Sequence, residues 1–195
     1  MKKSVRIILW SAFSVLVCTG FRPYAGVKGF DIDASTDTTS KVFVTYPRGS
    51  TEVANDLPDN DVLAGDEALT VDAMMESIFE DYNSIASSFL ILVSDSDDDF
   101  NSRGEGRTVV VVFGGPGGTN NGRARLDLED GVTTGCTITM SEDTLDSATS
   151  FVSTMTHELG HCMGLDHPQE TTTALMSYFS DDELVRLQID DKMGI

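Results

Sequence analysis

Three histidines sit within eleven residues, in the segment His157–Pro168 that reads HELGHCMGLDHP, and the chain holds no others. His157 and His161 are four apart. At 100° per residue they stand about 40° apart around a helix and one turn along it, so both imidazoles can face one ion. Glu158 lies beside the first of them, where a carboxylate can reach water at the ion without taking a coordination position. Gly164 follows His161 by three residues. Glycine enters the left-handed conformation that stops a helix and turns the chain, which brings His167 back to the same ion from another direction. Three neutral imidazoles and one exchangeable position form the catalytic pattern of Zn²⁺ rather than the closed structural one.

The spacing HExxHxxGxxH, carried by His157, Glu158, His161, Gly164 and His167, resembles the metzincin clan of zinc metalloproteases, with matrixin-like and serralysin-like features in its catalytic domain. The segment ALMSY (174–178) is similar to the clan's Met-turn at Met176, a soft apolar thioether suited to packing beneath imidazoles without ligating. Pro168 and the run Met176-Ser177-Tyr178 resemble serralysins, and the Met-x-Tyr spacing is shared with astacins. GGPGG (114–118) resembles matrixins. The resemblance implies a zinc-dependent endopeptidase acting on protein or peptide substrates. In it Glu158 is the general base, Tyr178 the second donor to the oxyanion, and the substrate an extended strand paired to a sheet edge. Arg123–Leu128 is the candidate edge. A non-hydrolytic zinc-binding surface or adhesion protein on the same scaffold is the alternative, and the intact Glu158 argues against it.

The elements needed to hold this segment are readable from periodicity. KVFVTY (41–46) alternates and is β-branched, as a strand is, and Pro47 ends it. Apolar residues at helical spacing predict a helix over 69–86, capped by Thr70 or Asp66, and a second over 150–162 that carries the histidines. FLILV (89–93), TVVVVF (108–113), RARLDL (123–128) and CTITM (136–140) read as further strands, the first two as buried apolar runs. A short helix is expected from Asp181 to Ile189. The fold class is α+β, a mixed twisted sheet with two long helices against it.

Of 195 residues, 13 are basic and 32 acidic, a net charge of −19, which excludes nucleic acid and anionic membrane surfaces as partners. Lys2, Lys3 and Arg6 precede an apolar run from Ile7 to Val17, too short to span a bilayer and suited to a signal-peptide core. The domain organisation is therefore a signal peptide over 1–20, a Gly/Ser/Thr/Asp-rich linker over 21–40, and a metallopeptidase domain over 41–195. Cleavage after Gly20 gives a secreted, extracellular or periplasmic protein. Val15-Leu16-Val17-Cys18 is the alternative, a lipoprotein signal with Cys18 as candidate lipidation site and membrane attachment only by that route. Cys136 and Cys162 then remain as an even pair, read either as a disulfide or as two small buried thiols. Asp95, Asp97 and Asp99 offer oxygen ligands at alternate positions for a candidate Ca²⁺ loop, against the plainer reading of a solvated acidic loop.

Overall fold

The computed structural model describes residues 28–30, 40–65, 67–85, 90–94, 108–114, 121–167, 174–177 and 184–192. The signal segment with Cys18, the acidic stretch with Asp95, Asp97 and Asp99, Pro168, Tyr178 and most of GGPGG lie outside these residues.

The architecture is α+β. The main sheet is built from β1 (Lys28–Phe30), β2 (Ser40–Thr45), β5 (Leu90–Ser94), β6 (Thr108–Phe113), β7 (Gly122–Glu129) and β8 (Val132–Met140). A separate two-stranded ribbon pairs β3 (Glu52–Val53) with β4 (Leu69–Thr70). The helices are α1 (Val71–Asn83), α2 (Ala148–Cys162) and the short α3 (Ile189–Lys192). Four pairings of the main sheet, β2 with β5, β2 with β6, β6 with β8 and β1 with β8, are parallel, and β7 is antiparallel to β8. Because β7 runs along the whole of β8, β6 and the short β1 share the other side of β8. β7 therefore forms one margin of the sheet and pairs only with β8 among the described residues.

Register explains the core. Val44, Val109, Cys136 and Leu126 fall in one transverse row, and Val111, Ile138 and Ala124 in the next. These rows face the helices. α1 presents Val71, Met74, Met75, Ile78, Phe79 and Tyr82 to the interior, and α2 presents Phe151, Val152, Met155 and Leu159. TVVVVF does not behave as a run buried on both faces. Val109 and Val111 are buried, while Val110 and Val112 are more than a third exposed. The pleat sends alternate side chains to opposite faces, and among the described residues no helix covers the outer one.

Helix starts follow local chemistry. The Thr70 hydroxyl accepts the Ala73 N–H at 3.2 Å to open α1. Ser147 caps α2 by accepting the Ser150 N–H at 3.1 Å, and Asp56 reaches over to accept the Thr149 N–H at 2.8 Å. Two segments depart from the sequence reading. Residues 28–30, read as linker, form β1 against β8. Residues 184–188, read as part of the final helix, are not helical, and α3 covers Ile189–Lys192, since Asp81 accepts the Leu187 N–H and Asp61 binds the Arg186 guanidinium through two nitrogens. Those contacts hold 186–187 out of helical hydrogen bonding.

A disulfide joins Cys136 in β8 to Cys162 at the end of α2, with Cα atoms 5.7 Å apart. Closing a loop of this length restricts the unfolded chain by about 3–4 kcal/mol in the chain-entropy account. The double variant Cys136→Ser/Cys162→Ser is expected to lose about 2–4 kcal/mol of unfolding free energy in a denaturant titration, with a steeper slope because the freed unfolded chain exposes more surface.

Candidate metal centre

α2 carries His157, Glu158 and His161 on consecutive turns, and its end is closed by the residue foreseen for it. Gly164 has φ +95°. Its N–H donates to the His161 carbonyl at 2.9 Å, and the Leu165 N–H donates to the Gly160 carbonyl at 3.0 Å. This pair of bonds is a Schellman closure. It reverses the chain so that His167 meets the other two imidazoles. The three side chains offer ligand atoms within 4.8 Å of one another. Nε2 of His157 and Nε2 of His167 are 3.1 Å apart. Nitrogens around one tetrahedral ion at about 2.0–2.1 Å stand roughly 3.3 Å from each other, so the spacing fits a shared Zn²⁺.

The outer nitrogens settle which way the lone pairs face. His157 Nδ1 lies 2.9 Å from the Leu175 carbonyl, and His161 Nδ1 lies 2.8 Å from the Leu165 carbonyl. A carbonyl only accepts, so each Nδ1 carries a proton and donates, which leaves each Nε2 as the ring nitrogen turned inward toward an ion. Burial, and next the neighbouring His157, bring the His161 pKa down to about 4. His167 is also lowered, by burial first and His157 second, against the opposing pull of Asp166. Both rings are therefore neutral at pH 7, the form that binds a cation. The donor set is three imidazoles with no thiolate, which suits Zn²⁺.

Glu158 is buried beside this cluster. Burial raises its pKa, opposed by His157 and by the Ala124 N–H, which donates to the carboxylate. The strand approaches closely because residue 122 has no side chain. A Cβ on Gly122 would stand 2.5 Å from Thr154 Cγ2 and 2.9 Å from Glu158 Cγ. β7 thus begins against the carboxylate at Gly122 and bonds it again at Ala124. The candidate edge Arg123–Leu128 lies inside this strand.

Residues 174–177 form the other wall. Met176 is 1 % exposed, and a Cβ on Gly160 would collide with its Sδ. The small residue between Glu158 and His161 is what admits it. Asp191, from α3, accepts the Leu175 N–H at 2.9 Å and the Met176 N–H at 3.1 Å. The same residue whose carbonyl orients His157 is therefore fixed from behind by a buried carboxylate. From α1, the Tyr82 hydroxyl donates to the Thr156 carbonyl at 2.6 Å, immediately before the first histidine.

Gly122, Ala124, Tyr82 and Asp191 carry no local signal. Their partners are backbone groups or side chains distant in sequence, and only the fold brings them together.

A three-imidazole cluster beside a buried carboxylate, on an α+β domain whose strand β7 has one side unpaired among the described residues, is an arrangement that could hold a metal ion. The matrixin family model matches residues 70–195, and the chain belongs to that family. No curated protein matches it in sequence. Among solved structures, the GM1-bound form of the ECX AB5 holotoxin is similar at 12 % identity and a TM-score of 0.39. That likeness covers 69 % of this chain and 55 % of the other, so the chain spans about half the length of that structure's chain.

Asp191→Asn keeps the shape but gives up the charge that receives two buried N–H groups. Hydrogen bonds to charged groups contribute about 1.5–3 kcal/mol, so a loss of roughly 2–3 kcal/mol in unfolding free energy is expected. A denaturant titration of the purified variant measures it.

Proposed function

We propose that this chain is a zinc endopeptidase that hydrolyses peptide bonds in protein or peptide substrates. The single observation that carries the reading is the convergence of three imidazoles, with ligand atoms within 4.8 Å of one another, next to a buried carboxylate. His157, His161 and His167 would hold the ion through Nε2 of the two helical residues and a ring nitrogen of the third. Bound there, Zn²⁺ supplies a Lewis acid that polarises a carbonyl and acidifies water.

The rest of the work falls to side chains and backbone. Glu158 accepts a proton at its carboxylate from the attacking water and returns it to the departing amine. Burial favours its protonated form, and the Ala124 N–H keeps the ionised form available, which suits a group that must both take and give a proton. The outer edge of β7, unpaired among the described residues apart from the Ala124 N–H that Glu158 holds, offers backbone donors and acceptors to an extended substrate by strand addition. Met176 forms an apolar floor that holds the histidine helix in place. Tyr178, next to Ser177, is assigned the second oxyanion donor on sequence grounds.

Glu158→Ala is expected to retain Zn²⁺ and to lose roughly 10²–10⁴-fold in turnover of a quenched-fluorescent peptide, the range a positioned general base contributes. A chelator abolishes hydrolysis by the unsubstituted chain, and added Zn²⁺ restores it. Full turnover by Glu158→Ala, or by metal-free protein, overturns the mechanism.

The protein is further proposed to work outside the reducing cytoplasm. The charged-then-apolar N-terminal segment and the Cys136–Cys162 bridge support that reading. Mass spectrometry of the mature N-terminus distinguishes its two forms, a free Phe21 after cleavage at Gly20 or an acylated Cys18. An unprocessed Met1 in a secreting host overturns it.

A further inference from the structure

The cations of this acidic chain are unevenly engaged. Among the described residues, Arg48 is paired with Glu142, Arg186 with Asp61 at 2.8 Å and Lys192 with Asp81 at 2.6 Å. Two arginines differ. Arg125, whose side chain is 80 % exposed, has Asp127 at 3.9 Å as its nearest carboxylate. Arg123 is exposed and has no carboxylate partner among the described residues.

Their position matters more than their number. Arg123 lies between Gly122, which abuts Glu158 Cγ, and Ala124, whose N–H binds the Glu158 carboxylate. Arg125 is the next residue on the same face of β7. Ala124 and Leu126 turn to the core, while Arg123 and Arg125 stand on the outer face, beside Thr139 and Thr137 of β8. Among the described residues of this chain, which carries a net −19, the uncommitted positive charge therefore lies on the outer strand β7, beside the Glu158 carboxylate.

The geometry points to a peptidase selective for acidic side chains flanking the scissile bond, with Arg123 and Arg125 as the specificity-determining residues. This deepens the endopeptidase reading and rests on it. A strand added to β7 places alternate side chains on the outer face, with Cβ atoms about 4.5–5.5 Å from those of the residues opposite. An Asp or Glu at such a position meets a guanidinium that has no stronger partner to leave. The overall negative charge does not cancel this, because screening confines charge interactions to about 8 Å at physiological salt. It does limit the preference. Asp127 continues the strand with a negative charge, so the complement is one or two acidic residues near the cleaved bond and not a polyanionic tract.

The test uses the mature zinc-loaded chain and sets of quenched-fluorescent peptides that differ only in Glu, Gln or Lys at each position flanking the bond. At the favoured positions kcat/KM is expected to be about three- to tenfold higher for Glu than for Gln and lower again for Lys, the scale of one or two exposed charge pairs. The preference should shrink as salt is raised. Arg123→Glu/Arg125→Glu should invert the Glu-to-Lys ratio, and Arg123→Gln/Arg125→Gln should bring it near one. Circular dichroism checks that each variant is folded, and the ratio of two peptides on one preparation is insensitive to the folded fraction. Cleavage of Gln, Glu and Lys peptides at equal rates, or a ratio unmoved in both variants, overturns the acidic selectivity while leaving the endopeptidase intact. Hydrolysis of none of the peptides overturns both.

Discussion

The Nδ1–H groups of His157 and His161 are held by backbone carbonyls, and the metal centre depends on those two hydrogen bonds. An imidazole free to rotate or change tautomer offers a cation nothing fixed. Here the Leu175 and Leu165 carbonyls set both the ring planes and the protonation, so the opposite nitrogens converge. The acceptors come from different sources. Leu165 is delivered by the Schellman closure that ends α2, a feature within reach of its own histidine. Leu175 is delivered by a separate segment, and that segment is fixed by Asp191 from behind and by the Gly160 notch from below. The histidine-bearing half of α2 is thus defined by contacts on three sides, with Tyr82 of α1 making the third at the Thr156 carbonyl.

The sheet supplies the opposite wall through one close approach. Gly122 allows the backbone of β7 to lie against Glu158, and the next inward residue, Ala124, donates to the carboxylate. A larger residue at 122 would push the strand outward and take the Ala124 donor with it. The Cys136–Cys162 bridge reinforces this geometry, since it ties the strand paired to β7 directly to the end of the histidine helix. Helix and sheet edge are therefore related by covalent bond, by hydrogen bond and by steric contact within a short distance of the carboxylate.

What could be read from the chain beforehand follows from the range of each interaction. His157, Glu158, His161, Gly164 and His167 were legible because helix periodicity and a glycine turn are local, and both operate as the spacing implies. The two long helices and the strands TVVVVF and CTITM were legible for the same reason, and matrixin membership agrees with the metzincin resemblance carried by the histidine motif. β1 was not, because three residues of no marked pattern become a strand only through pairing with β8. The outward Val110 and Val112 were not, because a uniformly apolar run has no alternation to reveal its solvent face. Asp191 was not, because an acid in a short helix looks like any other until the backbone it serves is in place. Residues 184–188 were misread as helix because the competing partners, Asp61 and Asp81, lie far upstream.

The dependence of Leu175 and Met176 on Asp191 has a temporal consequence. A ribosome releases the three histidines well before it releases the carboxylate that steadies the carbonyl behind the first of them. Until that acid emerges, the ring of His157 has no fixed hydrogen-bond acceptor, and the constellation exists in composition but not in arrangement. The arrangement of the three rings therefore cannot precede the release of Asp191, however early the histidines themselves emerge.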